Sequence, residues 1–365
     1  MTYLRILASA AMLLLALPAY AQDDNREALE RLSRIVEGWR QSPHADRTAH
    51  AFTHWNDEET GEIPGSCAVC HSGIGFDAYV SGDMQVAGIL SEPMPLGSVV
   101  DCAACHGEGA TNLTEVPFPS GVRVDGFGSS AMCAVCHQGR ASGVTIGNAT
   151  TGMEEDTVSE ALAFINVHYA PSAGTLMGSV TGTGYQYEGK DYKGQFTHVP
   201  DFAQCTDCHR PHSLASVPIE NCTACHVGAV EFAAIRISPL DYDGDGDTSE
   251  GISDPIANLH TRLYDAIQAY ASEIAGTPII YADQFPYFFT DTNGDGAVSE
   301  GEAVFPNRYA SWTPRLLKAA HNYQFVAKDK AAYVHNPHYA LQILHDTLED
   351  LSGSVDVDMA GLTRP

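Results

Sequence analysis

The sequence predicts a mainly α-helical fold with extensive irregular structure and a separate C-terminal helical lobe. Three observations predict it. Between the cysteine clusters the sequence is Gly-, Pro- and Ala-rich, as in 96–106 and 121–139, with no long periodic elements. Amphipathic spacing appears late, with apolar residues recurring at three and four in 256–274 and again in 311–326. All ten cysteines lie in the irregular part, in five evenly built clusters.

In chain order, the first residues read as a secretory leader over 1–21. Arg5 gives a basic start, 6–17 is apolar, and Ala19-Tyr20-Ala21 offers small residues before a cut near Gln22. The expected location is therefore periplasmic or extracellular. No later stretch approaches the roughly 20 apolar residues of a membrane-spanning helix, so no membrane span is expected. Acidic residues outnumber basic ones 46 to 19, a formal charge of −27. That charge makes nucleic acid and anionic membranes poor partners and favours a partner protein with a basic docking surface.

An exported chain with ten cysteines ordinarily suggests disulfides. Here each Cys-x-x-Cys pair is followed at once by histidine: Cys67, Cys70, His71 (motif 1); Cys102, Cys105, His106 (motif 2); Cys133, Cys136, His137 (motif 3); Cys205, Cys208, His209 (motif 4); Cys222, Cys225, His226 (motif 5). Two thiols three residues apart share one helical turn and can both join the edge of one porphyrin, while the next histidine reaches its iron. The pattern is the c-type haem attachment signature, and the cofactor expected is five covalently bound haem c. Zinc sites would consume the pairs two at a time and leave one over. Thioredoxin-type dithiols need no following histidine. With porphyrin faces supplying apolar surface, the irregular stretches of 22–230 need little ordinary core.

A haem with two strong axial ligands only passes electrons, and an open sixth position permits catalysis, so the remaining histidines matter. Distal candidates are His44, His54, His168, His198, His212 and His335. The proline step in His209-Arg-Pro-His212 swings the second ring away from its own motif. His198 closes a Tyr/Gly-rich stretch before motif 4, and His168 ends a helix-like stretch over 157–167. His335 precedes Asn336-Pro337, an N-cap and first helical residue for a final helix to about residue 351. His50, His260, His338 and His345 read as ordinary polar rings, and His321 fits either role. Six candidates leave one surplus over five haems. Met84, Met94, Met132, Met153 and Met177 could also ligate, though no spacing singles one out.

These motifs resemble those of the multihaem cytochrome c superfamily. Residues 205–226 resemble its doubled binding unit, and the segments around His321-Asn322-Tyr323 and His335-Asn336-Pro337-His338 resemble C-terminal parts of multihaem carriers and of nitrite reductase and hydroxylamine oxidoreductase relatives. The resemblance implies a fold organised around stacked haems, in the pentahaem size class. Pentahaem nitrite reductases commonly carry a Cys-x-x-Cys-Lys motif, and this chain has none, which favours a carrier over an enzyme.

After motif 5 the sequence changes character. In 231–310, Asp291, Asn293, Asp295, Ala297 through its carbonyl, Ser299 and Glu302 occupy positions one, three, five, seven, nine and twelve of an EF-hand calcium loop, with Gly296 at six. Asp241, Asp243, Asp245, Asp247 and Ser249 repeat its start, but Ile252 stands at position twelve, so Glu250 or Asp254 would have to compensate. Calcium is the second cofactor expected, in a structural role. Residues 311–365 then return His335 to the haems.

The function expected is an electron-transfer conduit of anaerobic or extracellular respiration, without catalytic residues. Alternatives are a multihaem reductase or oxidase of small nitrogen or sulfur compounds with one open haem, and a subunit of an extracellular homopolymer. Iron analysis and pyridine haemochrome assay of the purified protein should give five haems per chain, and a lower stoichiometry would remove a motif from the scheme.

Overall fold

The computed structural model describes residues 25–82, 84–199 and 202–365. The leader expected over 1–21 lies outside them. A helix over 25–40 is followed by a series of very short elements. Four of the five motifs sit on single or double helical turns, Gly65–His71, Cys102–His106, Ala131–Cys136 and Cys205–Cys208, and motif 5 follows the 3-10 turn Ile219–Asn221. Local capping explains why such short pieces are helical. The Asp101 side chain accepts hydrogen bonds from the N–H groups of Ala103 and Ala104, at 3.0 and 3.2 Å. Asp207 accepts from the N–H of Gln204 at 2.7 Å. Three two-stranded antiparallel hairpins complete the regular structure: Glu62–Ile63 with Met94–Pro95, Glu115–Pro117 with Arg123–Asp125, and Ile279–Tyr281 with Phe288–Thr290.

Two apolar clusters form the interior. The smaller gathers Val69, Phe76, Tyr79, Val116, Phe118 and Val135 around motifs 1 to 3. The larger is built by three long helices, Ser253–Glu273, Pro314–Lys328 and Pro337–Ser352, which pack on one another. Leu259, Leu263, Ile267 and Tyr270 make the buried stripe of the first, and Leu341, Leu344, Leu348 and Leu351 that of the last. Their starts are set by sequence. Thr313 caps the second helix by accepting from Leu316 N at 3.1 Å, and Asn336 caps the third by accepting from Tyr339 N at 3.1 Å, each followed by proline at the first helical position. No helix among the described residues is long and apolar enough to cross a membrane.

Residues 157–167, expected to be helix-like, are irregular. Their backbone finds partners elsewhere: Ser159 N–H donates to Trp312 O at 2.9 Å, and Val167 N–H to the buried side chain of Gln324 at 3.1 Å. Gln324 belongs to a row of buried polar residues on the 314–328 helix. Asn322 accepts from Tyr185 N at 2.7 Å and donates to Tyr185 O at 3.0 Å and to Thr347 Oγ1 at 2.9 Å. His321 Nε2 lies 2.9 Å from Thr183 O. Tertiary hydrogen bonds thus replace the i to i+4 ladder that the local sequence favours. Leu162 and Val167, with Ile146, are drawn into the larger apolar cluster.

Replacing Asn322 with alanine removes the partners of two part-buried backbone groups of Tyr185, each worth about 1 kcal/mol. Denaturant unfolding of the N322A holoprotein should show that loss against wild type.

Candidate haem-binding site

In motifs 1 to 4 the helical turn puts the two cysteines, three residues apart, on one face, with the histidine at or just past the helix end. Burial and local bonds then orient the rings. His71 Nδ1–H donates to Ala51 O at 2.8 Å, which leaves Nε2 outward. His137 is pushed down to about 4 by burial and by neighbouring His44, and His168 to about 4 by burial and by neighbouring His71. Burial likewise lowers His44, His71 and His198. At neutral pH His137 and His168 are therefore neutral imidazoles, the form that binds metal.

Four distal candidates face four different motif histidines. Ring centroids are 6.0 Å apart for His71 and His168, 6.1 Å for His106 and His212, 6.3 Å for His137 and His44, and 5.7 Å for His226 and His198. A metal–imidazole bond is about 2 Å, so two rings sharing one metal stand with centroids about 6 Å apart. The first three pairs match that spacing, and His226 and His198, with Nε2 atoms 3.5 Å apart, stand slightly closer than two opposed bonds of about 2 Å require. His168 adopts a left-handed backbone, φ 70°, just beyond the irregular 157–167 segment, and its N–H is held by the Asn166 side chain at 2.7 Å. His335 lies close enough to Cys205 of motif 4 to act on its charge. Its Nδ1 is 2.8 and 2.9 Å from the carboxylate oxygens of Asp329. Burial opposes its protonated form, but the Asp329 hydrogen bond and charge win, so its pKa is raised.

His54 faces no motif histidine squarely. It packs on Trp55 and holds its Nδ1 3.3 Å from His50 Nε2. His260 is bonded to Tyr323 O at 2.9 Å and stacked on that ring, His321 is buried among carbonyls, and His345 Nδ1 sits beside Asp346.

Three features escaped sequence reasoning. Trp55 stands edge-on to His71 at 5.2 Å, and Arg140, three residues after motif 3, points a nitrogen at Cys67 Sγ at 3.8 Å. Cysteines of different motifs also touch: Cys70 lies against Cys136, and Cys133 against Cys205. Only Arg140 left a local signal, its closeness in sequence to a motif.

The two acidic loops share a hydrogen-bond pattern. Asp291 accepts from Gly294 N at 2.7 Å and Gly296 N at 2.8 Å, and Asp241 from Gly244 N at 2.7 Å and Gly246 N at 2.9 Å. Glu302 closes the later loop on Thr292 N and Ser299 N, at 2.8 and 2.9 Å. In the earlier loop Asp241, Asp243 and Asp245 bring carboxylate oxygens within 4.8 Å of one another. Asp243 is fully buried: one oxygen accepts from Asn258 Nδ2 at 2.6 Å, and the other has no partner among the described residues. Glu250 is paired with Arg236 at 3.2 Å, and Asp254 lies in the first turn of the 253–273 helix beside Ser253 Oγ.

Five Cys-x-x-Cys-His attachment motifs define the class: the chain is a multihaem c-type cytochrome. More particularly, it is similar to the C-type polyheme cytochrome OmcC of Geobacter sulfurreducens, 24% identical over 360 residues that cover 83% of this chain and 45% of the relative. The C-type polyheme cytochrome OmcB of the same species is 24% identical over 315 residues, 80% of this chain and 36% of the relative. The chain thus spans less than half the length of the curated relatives it matches. No family model and no solved structure matches it.

Proposed function

We propose that the chain is an exported pentahaem electron conduit of anaerobic or extracellular respiration, with histidine on both sides of every iron. The opposition of four motif histidines to four distal ones at 5.7–6.3 Å carries this reading. The fifth pair is His209 with His335, since His335 lies beside motif 4 and the other four are matched. Haem c held between two such histidines would supply one-electron ferric–ferrous chemistry with no position open to substrate. What the chain contributes is histidines placed for both axial positions, rings such as His137 and His168 kept neutral by burial, and proximity between motifs.

That proximity supports an order. Motif 3 adjoins motif 1 through Cys136 and Cys70, motif 4 through Cys133 and Cys205, and lies near enough to motif 2 for Cys105 to act on Cys136. The Cys208 thiol of motif 4 is pushed up by burial, by Asp207 and by Cys222 of motif 5. The route is then 1, 3, 4, 5, with motif 2 as a branch at 3. The surplus of acid over base favours redox partners with lysine- and arginine-rich faces.

We assign calcium to the loops at 291–302 and 241–249, where the wrapped backbone and, in the earlier loop, the unpartnered Asp243 oxygen suit a hard cation with oxygen ligands. Calcium would brace the helix Ser253–Glu273 between its two loops.

Low-temperature electron paramagnetic resonance of the oxidised holoprotein should show five low-spin haems. His44→Ala, His168→Ala, His198→Ala and His212→Ala should each convert one haem to high spin, whereas His54→Ala should convert none. A stoichiometric high-spin signal in wild type would favour the reductase reading instead. For calcium, a site filled at about a hundred times its Kd adds about 2.7 kcal/mol. EGTA should therefore lower the Tm of the holoprotein, and Asp291→Ala should remove most of that calcium-dependent difference.

A further inference from the structure

The five distal histidines are not equivalent. Among the described residues His335 alone of the five has a carboxylate on its ring, both oxygens of Asp329 standing 2.8 and 2.9 Å from Nδ1. The Asp329 side chain is 2% exposed. It is also held in place from behind: Asp329 ends the helix Pro314–Lys328, its carbonyl accepts from Ala332 N at 2.9 Å, and its carboxylate accepts from Ala331 N at 3.3 Å. The adjacent cation does not neutralise it. Lys328 pairs with Asp283 and lies over the rings of Tyr169 and Tyr287, 4.1 and 4.5 Å from their centroids. Asp329 has no lysine or arginine partner among the described residues, so its charge is directed at the imidazole.

On the other side of the ring, Asn336 locks the following turn. Its side chain caps the final helix through Tyr339 N and donates to Gly194 O at 3.0 Å. The His335 ring therefore has little freedom, and Nε2 is the nitrogen left to bind.

We propose that Asp329 is the positioning and potential-setting residue of the motif 4 haem, making it the lowest-potential haem of the five. The inference rests on the reading that His335 is the distal ligand of that haem. By accepting the Nδ1 proton in a hydrogen bond, the carboxylate fixes the ring with Nε2 outward and raises the electron donation of the imidazole. Stronger donation and a buried negative charge both favour the ferric over the ferrous state, which lowers the potential. No proton is transferred and no further reactant is required.

The test is a spectroelectrochemical titration of three holoprotein variants beside wild type, with electron paramagnetic resonance on each. Asp329→Asn keeps an acceptor for the ring N–H and removes the charge. It should move one of five midpoint potentials upward, from the low end of the set, leave the other four in place, and keep five low-spin haems. Asp329→Glu should restore the low value in large part. His335→Ala tests the underlying ligation and should give one high-spin haem. A high-spin haem in H335A with unchanged potentials in D329N would overturn the role of Asp329 while the ligation stands. Five low-spin haems in H335A would overturn the ligation and this inference with it.

Discussion

The row of buried polar side chains on the helix Pro314–Lys328 is the constraint on which the arrangement depends. A chain that carries several prosthetic groups on single helical turns cannot organise itself by helix packing alone, because its irregular backbone must still place its N–H and C=O groups. His321, Asn322 and Gln324 provide those places for residues 165–185. The segment they hold ends its first half at His168 and continues to the stretch whose later part bears His198. The same helix ends in Asp329, against His335. One amphipathic helix with a polar inner face thus positions candidate ligands that lie far apart in sequence.

Much of the chemistry was legible in the sequence because covalent attachment needs fixed spacing. Cys-x-x-Cys-His has one stereochemical purpose that repeats five times, and helix starts such as Thr313-Pro314 and Asn336-Pro337 act through their immediate neighbours. The placement of the distal candidates was only half legible. Histidines could be counted and ranked by local context, but whether His44 or His54 turns toward a motif depends on where the chain folds back, and no local rule encodes that. Residues 157–167 misled for the same reason: their helical spacing is real, yet the buried acceptors of another helix outcompete the local ladder. Asp329 was invisible, since an aspartate six residues before a histidine is ordinary until the turn between them is known.

Electrostatics divide the molecule into inside and outside. Several cations are spent on structure: Arg315 joins Asp156 and Asp350, Arg364 clasps Asp346, and Lys318 reaches Glu155. These bonds tie residues 155–156, the 337–352 helix and the C-terminal tail to one frame. Acidic residues still outnumber basic ones, 46 to 19, over the whole chain. Negative surface and neutral buried imidazoles are compatible, because burial rather than surface charge sets the protonation of rings such as His137 and His168.

The opposed imidazoles come from distant parts of the chain, and this has a consequence for biogenesis. The proximal histidine and its two cysteines are contiguous, so porphyrin can be attached to an extended polypeptide before any tertiary structure exists. The second imidazole arrives only when the fold closes. On the proposed ligation, spin state would be a built-in gauge of maturation: each haem would change colour and magnetism as its own region of the chain docks, and the order of those changes would record the order of assembly.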